Sequence, residues 1–395
     1  MKILQIVLWF PPAYSYGGPV KSVYELSKNL VEKGHDVTVF TTDAFDENSR
    51  FRFKENPTYM DGIKVYRFKN ISNYLCKKNF AIAPSMALKL DKEIANFDLV
   101  HIHDFRSVET IFVHYYAKKY GVPYVLHPRG SAPTTTGKTK FKKLFDFFFS
   151  ESIFNDASKI IASSKVESDE YYKLFPDLDL EKVVHVPNAM DWNKYQKLPN
   201  KGIFKNKYSI KDNQKVVLFL SRLHEIKGTD ILIEAFAQLA NEFDNLKLVV
   251  AGPDENGNLS KLKSKSKELG LDSDIIFPGP LYGTDKIEAY VDADVFVLPS
   301  RYDSFANVVL EACACGTPII ATDKCGVTEW IKDVGYIVEC DVDQIKDAMY
   351  KLLKDDKLCQ KFGDNARNLV YGSFGWDCII DEIEDTYEDV IRISS

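Results

Sequence analysis

Short apolar runs and helix-period segments alternate along nearly the whole chain. In the first half the runs fall at 3–8, 37–41, 99–103, 124–127, 159–162 and 183–186. After the first of them, Val20, Val23, Tyr24, Leu26, Leu30 and Val31 recur at helical spacing and stop at Gly34. The scheme restarts at 216–220 and continues at 246–251, 275–277, 295–298, 318–321 and 336–338. Strands separated by helices predict parallel sheets covered on both faces, so the pattern reads as α/β with two Rossmann-like, doubly wound domains. The polar, Lys- and Asn-rich stretch 193–214 has no period and is the expected linker. The expected boundaries are 1–195 for the first domain and 196–375 for the second. A last helix, about 376–395, follows the glycines Gly372 and Gly375 and is placed to cross back onto the first domain. Sheets of this kind bind ligands beyond the carboxyl ends of their strands, so two in tandem are expected to face a central cleft.

Composition narrows the class. A chain of 395 residues suits two cores rather than one, and 45% hydrophobic with 27% charged residues is a soluble globular profile. No apolar run reaches the ~18 residues of a membrane-spanning helix. The apolar start is interrupted by Gln5 and lacks a small-residue cleavage site, so it reads as a first strand rather than a signal peptide. Seven cysteines form no CxxC pair, and Cys313 and Cys315 lie two apart on a predicted helix, facing different ways. Neither a disulfide framework nor a zinc site is expected, and a reduced, cytoplasmic protein is. Residues 1–200 hold 28 Lys and Arg against 23 Asp and Glu, a charge of +5; the remainder hold 23 against 34, a charge of −11. The acidic balance speaks against nucleic acid as a partner. The basic first half suits an anionic acceptor, or a peripheral position on the inner, anionic face of the cell membrane.

The densest chemistry lies in 298–318, LPSRYDSFANVVLEACACGTP. A strand is predicted to end at Pro299 and a helix to begin near Ser304, whose unsatisfied first N–H groups (Ser304, Phe305, Ala306, Asn307) suit a diphosphate. Asp303 precedes that helix and Glu311 lies about two turns along it, a separation that can bracket a ligand. The same two acids also fit a helix cap and a surface carboxylate. In 219–228, FLSRLHEIKG, Arg222 and Lys227 stand at the end of a strand. Two such cations can neutralise a leaving diphosphate without a metal, although alone they also fit a solvated loop. Gly17 and Gly18 follow the first strand and open a helix, where backbone N–H groups can approach phosphate; the G-x-G-x-x-G spacing is missing. His101 and His103 point to one side of their strand, with Asp104 next, and His127 and Arg129 end another. Finally, KTKFKKLFDFFF at 138–149 sets Lys138, Lys140, Lys142 and Lys143 before an aromatic run with helical spacing at 141, 144, 145 and 148. It reads either as a core helix with a basic start or as a helix lying on an anionic membrane surface.

Together these segments resemble family 4 of the retaining glycosyltransferases, over nearly the whole chain. The 298–318 segment is similar to the family's E-x7-E signature and its A-C-G-x-P turn, with Asp303 at the first Glu and Ala306 where Gly is usual. Residues 221–228 resemble G-R-L-x-x-x-K-G, with Ser221 for the Gly. Val100–Asp104 resembles the H-x-H-D strand end, 128–130 a P-R-G loop, and 187–191 P-N-G-x-D with Ala189 for the Gly. The resemblance implies a GT-B hexosyltransferase that moves a sugar from a nucleotide-diphosphate donor, UDP-sugar favoured, to a glycan or lipid-linked acceptor. It implies retention of anomeric configuration and no metal or other cofactor. His103, Arg222, Lys227 and Glu311 are then the catalytic candidates. Gly17, Gly18, Arg222, Lys227, Asp303, Ser304, Phe305, Ala306, Asn307 and Glu311 are donor candidates, with Glu311 on the ribose and Asp303 on sugar hydroxyls. His103, Asp104, His127 and Arg129 are candidates on the acceptor side, and 279–282 is expected to meet the base. Two other readings stay open: a UDP-sugar 2-epimerase, and a sugar-nucleotide-binding protein with weak or no catalysis, the latter motivated by Ser221, Asp303 and Ala306.

Overall fold

A computed structural model describes residues 1–46, 49–72, 75, 81–132 and 139–394. The chain forms two compact units, one of Met1–Ala189 with Trp376–Ser395 and one of Met190–Gly375. In the first unit the strands are β1 (Lys2–Ile6), β2 (Asp36–Thr42), β3 (Thr58–Met60), β4 (Ile63–Phe68), β5 (Leu99–His103), β6 (Tyr124–His127), β7 (Lys159–Ala162) and β8 (Val183–His185). They make one sheet in the order β3-β4-β2-β1-β5-β6-β7-β8. Every pairing is parallel except β3 with β4. That antiparallel hairpin is an addition to the predicted strands. Its turn is Asp61-Gly62, with φ of 48° and 79°, and Asp-Gly is a dipeptide that such left-handed turns select.

The second unit holds β9 (Lys215–Leu220), β10 (Leu246–Ala251), β11 (Ile275–Gly279), β12 (Val295–Leu298), β13 (Ile319–Thr322) and β14 (Gly335–Val338). Their order is β11-β10-β9-β12-β13-β14, all pairs parallel. The α/β class with two Rossmann-like parallel-sheet units is therefore observed. Each sheet reverses its winding once, at β1 beside β5 and at β9 beside β12, and such switch points open crevices at the carboxyl ends of the strands.

One departure from the predicted organisation has a clear cause. The stretch expected to link the domains is folded into the second unit: Phe204 is fully buried, and Tyr195 and Ile210 join the same core. Asp292 fastens it by accepting from the backbone N–H of Gly202 (2.5 Å) and Lys205 (2.9 Å). The last helix, Trp376–Ser394, belongs to the first unit. Its Ile379, Ile380, Ile383, Tyr387 and Val390 fall on one face and pack with Ile3, Val23, Leu26, Val125 and Ile161. His35 adds a contact to Glu384 at 2.6 Å.

The basic–aromatic segment is not a core helix. Lys138 lies outside the described residues. From there Thr139–Phe145 is helical, Asp146–Ser150 is a π-turn, and Glu151–Asp156 resumes the α-helix. Phe145 is buried, but Leu144, Phe147, Phe148 and Phe149 are exposed, Phe147 to 81%. Arg106 holds the turn in place, with Nε and one terminal nitrogen each 2.8 Å from the Asp146 carboxylate. Among the described residues no helix is long and apolar enough to cross a membrane.

Candidate functional site

In the second unit two of the predicted donor residues, Lys227 and Asp303, meet across the loops that follow β9 and β12. Lys227 closes a short helical turn, Glu225–Lys227, and Asp303 lies five residues beyond β12. The Lys227 Nζ and Asp303 Oδ2 are 2.5 Å apart, with side-chain exposures of 9% and 15%. Removing an ammonium and a carboxylate from water is costly unless each compensates the other, so this contact fixes both loops. Further contacts join them. Arg301 N donates to Ile226 O at 2.8 Å, and the Arg301 guanidinium grips Asp230 at 2.8 and 2.7 Å. Gly228 sits so close to Pro299 that a Cβ would meet its carbonyl oxygen at 1.9 Å. A third loop, after β13, is tied in by Asp303 N to Lys324 O and Gly326 N to Asp303 O.

The helix expected from Ser304 starts later, at Asn307, and runs to Ala314. Ala306 occupies the cap position at φ 74° and ψ 62°, which delays the helical turn and leaves the cap without a side-chain acceptor. Left-handed backbone at a residue with a Cβ costs roughly 1–2 kcal/mol, so Ala carries here a strain that Gly avoids. Asp303 is therefore too early to cap; its Oδ1 accepts weakly from Phe305 N at 3.4 Å, and its other oxygen faces Lys227. The Phe305 ring is in the core. Glu311 lies one turn along the helix rather than two. Its carboxylate is held by Lys286 Nζ at 2.6 Å and the Tyr290 hydroxyl at 3.2 Å. Arg222 stands apart from Lys227's pair, on an exposed contact of 2.6 Å with Glu255.

Sequence reasoning missed Lys286 and Tyr290, which carry no local motif. It also missed Thr229 and Ser300, which flank the ion pair in sequence and whose buried hydroxyls have no hydrogen-bond partner among the described residues.

In the first unit, Gly17 stands at φ 89° as the cap of helix Gly18–Glu32, as the glycine turn predicts. His103 and His127 end neighbouring strands in direct register. His103 Nε2 is 2.6 Å from Gln5 Oε1, and its Nδ1 accepts from Arg129 Nε at 3.1 Å. Those two partners fix the tautomer with hydrogen on Nε2 and leave the ring neutral. Burial holds His101, His103 and His127 well below the usual imidazole range, and the Arg129 guanidinium adds to the effect. Burial also lowers Arg129, to about 10. Asp104 is in the left-handed region at φ 74°, with its carboxylate 2.7 Å from Phe105 N and its carboxyl raised by burial. Both nitrogens of His127 are buried without a hydrogen-bond partner among the described residues.

Residues 16–194 match the model described as Glycosyltransferase Family 4, and residues 200–369 match that described as Glycosyl transferases group 1. The chain is 28% identical over 392 residues to N-acetyl-alpha-D-glucosaminyl L-malate synthase of Bacillus anthracis, covering 96% of this chain and 95% of the relative. An uncharacterized glycosyltransferase of Methanocaldococcus jannaschii is 27% identical, with 98% of each covered. The solved structure of Anabaena Alr3699/HepE in complex with UDP and glucose superposes at a TM-score of 0.76 and 20% identity, covering 98% of this chain and 99% of that one. The protein is a glycosyltransferase of family 4 with the GT-B fold. The epimerase and non-catalytic readings are accordingly set aside.

The coupling of Lys227 to Asp303 is open to a double-mutant cycle. Lys227→Met strands a partly buried carboxylate and is expected to cost about 3 kcal/mol in urea unfolding. Adding Asp303→Asn should recover at least half of that loss. Strictly additive losses would show that the pair is not the link between the loops.

Proposed function

We propose that the chain transfers a sugar from a UDP-sugar, with retention and without a metal, to a glycan or lipid-linked acceptor. The observation that carries this reading is the buried Lys227 ammonium at the β9/β12 switch point. The loops that carry it also hold the hydroxyls of Thr229 and Ser300, buried without a hydrogen-bond partner among the described residues, and Ala306 leaves the Asn307–Ala314 helix without a side-chain cap. A diphosphate entering there offers Lys227 a second anionic partner, and Asp303 becomes available to a sugar hydroxyl. Arg222 can leave its exposed Glu255 contact to hold the same diphosphate. Glu311, aimed by Lys286 and Tyr290, is set to accept from a ribose hydroxyl. The Gly17–Gly18 turn heads a helix and suits a phosphate for the same dipole reason. The choice of UDP follows the family resemblance, and the Anabaena neighbour's complex with UDP and glucose supports it.

In this reading the bond from the anomeric carbon to the phosphate oxygen breaks as the acceptor oxygen bonds to the same face. The acceptor's proton passes to the departing phosphate. Charge developing on that phosphate is met by Arg222, Lys227 and the helix N-terminus. His103, with both nitrogens engaged, acts by positioning Arg129, and Asp104 and His127 stand beside them on the acceptor side. The exposed Leu144, Phe147, Phe148 and Phe149 with the neighbouring lysines then face an anionic membrane surface that presents the acceptor.

Two expectations follow from this chemistry. Arg222→Ala and Lys227→Ala are each expected to lower kcat/KM on the order of 10²-fold, about 2.7 kcal/mol, and wild-type turnover is expected to survive EDTA. Near-normal rates in either variant, or loss on chelation restored by a divalent ion, would show the donor site to be wrongly assigned. Replacing Lys138, Lys140, Lys142 and Lys143 by Gln should weaken sedimentation with anionic vesicles, by roughly 1 kcal/mol per lysine near the surface. Equal sedimentation of variant and wild type at low salt would remove the membrane from the account.

A further inference from the structure

Three imidazoles meet on one face of the first unit's sheet. His101 and His103 alternate along β5, and His127 pairs with His103 across to β6. All three are buried, and one nitrogen from each lies within 4.8 Å of the others. Two of the three are held by a side-chain contact: His101 Nδ1 is 2.6 Å from the Tyr387 hydroxyl, and His103 Nε2 is 2.6 Å from Gln5 Oε1. Gln5 Nε2 in turn reaches the same Tyr387 hydroxyl at 3.4 Å. Of the remaining nitrogens only His103 Nδ1 has a partner among the described residues, Arg129 Nε at 3.1 Å. His101 Nε2 and both nitrogens of His127 are buried without a hydrogen-bond partner among the described residues. Buried polar groups are nearly always satisfied, and a set that is not asks for a ligand.

We infer that His101, His103 and His127 form a binding site for a borderline divalent transition metal of the zinc type, gated by Arg129. Neutral imidazoles are the ligands such ions take, and the hydrogen bonds behind His101 and His103 are of the kind that orients ligating histidines. Zinc–nitrogen bonds of about 2.0–2.1 Å bring tetrahedral ligand atoms to about 3.3 Å from one another, so the present cluster closes by side-chain rotation. The obstacle is Arg129. Its Nε donates to His103 Nδ1 at 3.1 Å, and a guanidinium there repels a dication. That contact is the one hydrogen bond of the guanidinium among the described residues, so the metal and Arg129 compete for His103. The transfer reaction is not routed through this site, and the site does not depend on the donor assignment.

Protein stripped with EDTA and desalted is titrated with Zn2+ by calorimetry and with Co2+ by visible absorption. One ion per chain is expected, with Co2+ giving the intense bands of a four-coordinate site. His101→Leu and His127→Leu should each weaken binding at least 100-fold while unfolding cooperatively. Arg129→Gln, which removes the competing cation, should tighten it at least tenfold. The site is refuted if the wild type takes up no stoichiometric Zn2+, or if folded His127→Leu binds as well, as it would with the ion on surface histidines. Should both leucine variants fail to fold, an unchanged affinity in Arg129→Gln refutes it equally.

Discussion

An ammonium group that is nearly shut off from water needs a counter-charge within a few ångströms, and in the second unit that requirement falls on Lys227. Asp303 meets it, and the loops after β9 and β12 are thereby bound to one geometry. The remaining contacts agree with that geometry rather than create it. Gly228 can lie against Pro299 because it has no Cβ, Arg301 locks onto Asp230, and the loop after β13 hydrogen-bonds Asp303 from the other side. Of the two cations only Lys227 is fixed in this way, since Arg222 stands apart on its exposed contact with Glu255.

The first unit is organised by a different constraint, the satisfaction of buried polar side chains. Gln5 on β1 and Tyr387 on the last helix serve two histidines of β5, so the return of the chain's end to the first sheet is polar as well as apolar. The apolar part is the larger, with five side chains of that helix in the core. Among the exceptions to satisfaction is His127, neither of whose nitrogens has a hydrogen-bond partner among the described residues.

Much of this was legible in the residues. Each apolar run became a strand because a parallel sheet covered on both faces needs continuous Val, Ile and Leu, which a short window reveals. The β3–β4 hairpin is written in Asp61-Gly62, a turn signal that an alternation of strands and helices does not contain. The stretch 193–214 looked like a linker because its polar residues outnumber Phe204 and Ile210, and only tertiary packing shows that these two anchor it. The helix start was misplaced by three residues, since Ala306 gives no hint that its backbone is left-handed. The ion pair joins residues 76 positions apart, and Lys286 reaches Glu311 across 25. Neither contact has a local pattern from which to be read.

The central claim is that the loops at the carboxyl ends of β9 and β12 in the second unit hold the nucleotide diphosphate. Amide hydrogen exchange with and without UDP, in the presence of EDTA, tests it most directly. The account predicts slowed exchange in 221–229, 279–283 and 303–311, with the amino-terminal ends of the same strands, near 213–216 and 293–296, unchanged. Protection confined to those opposite ends, or none until a divalent ion is added, would contradict it.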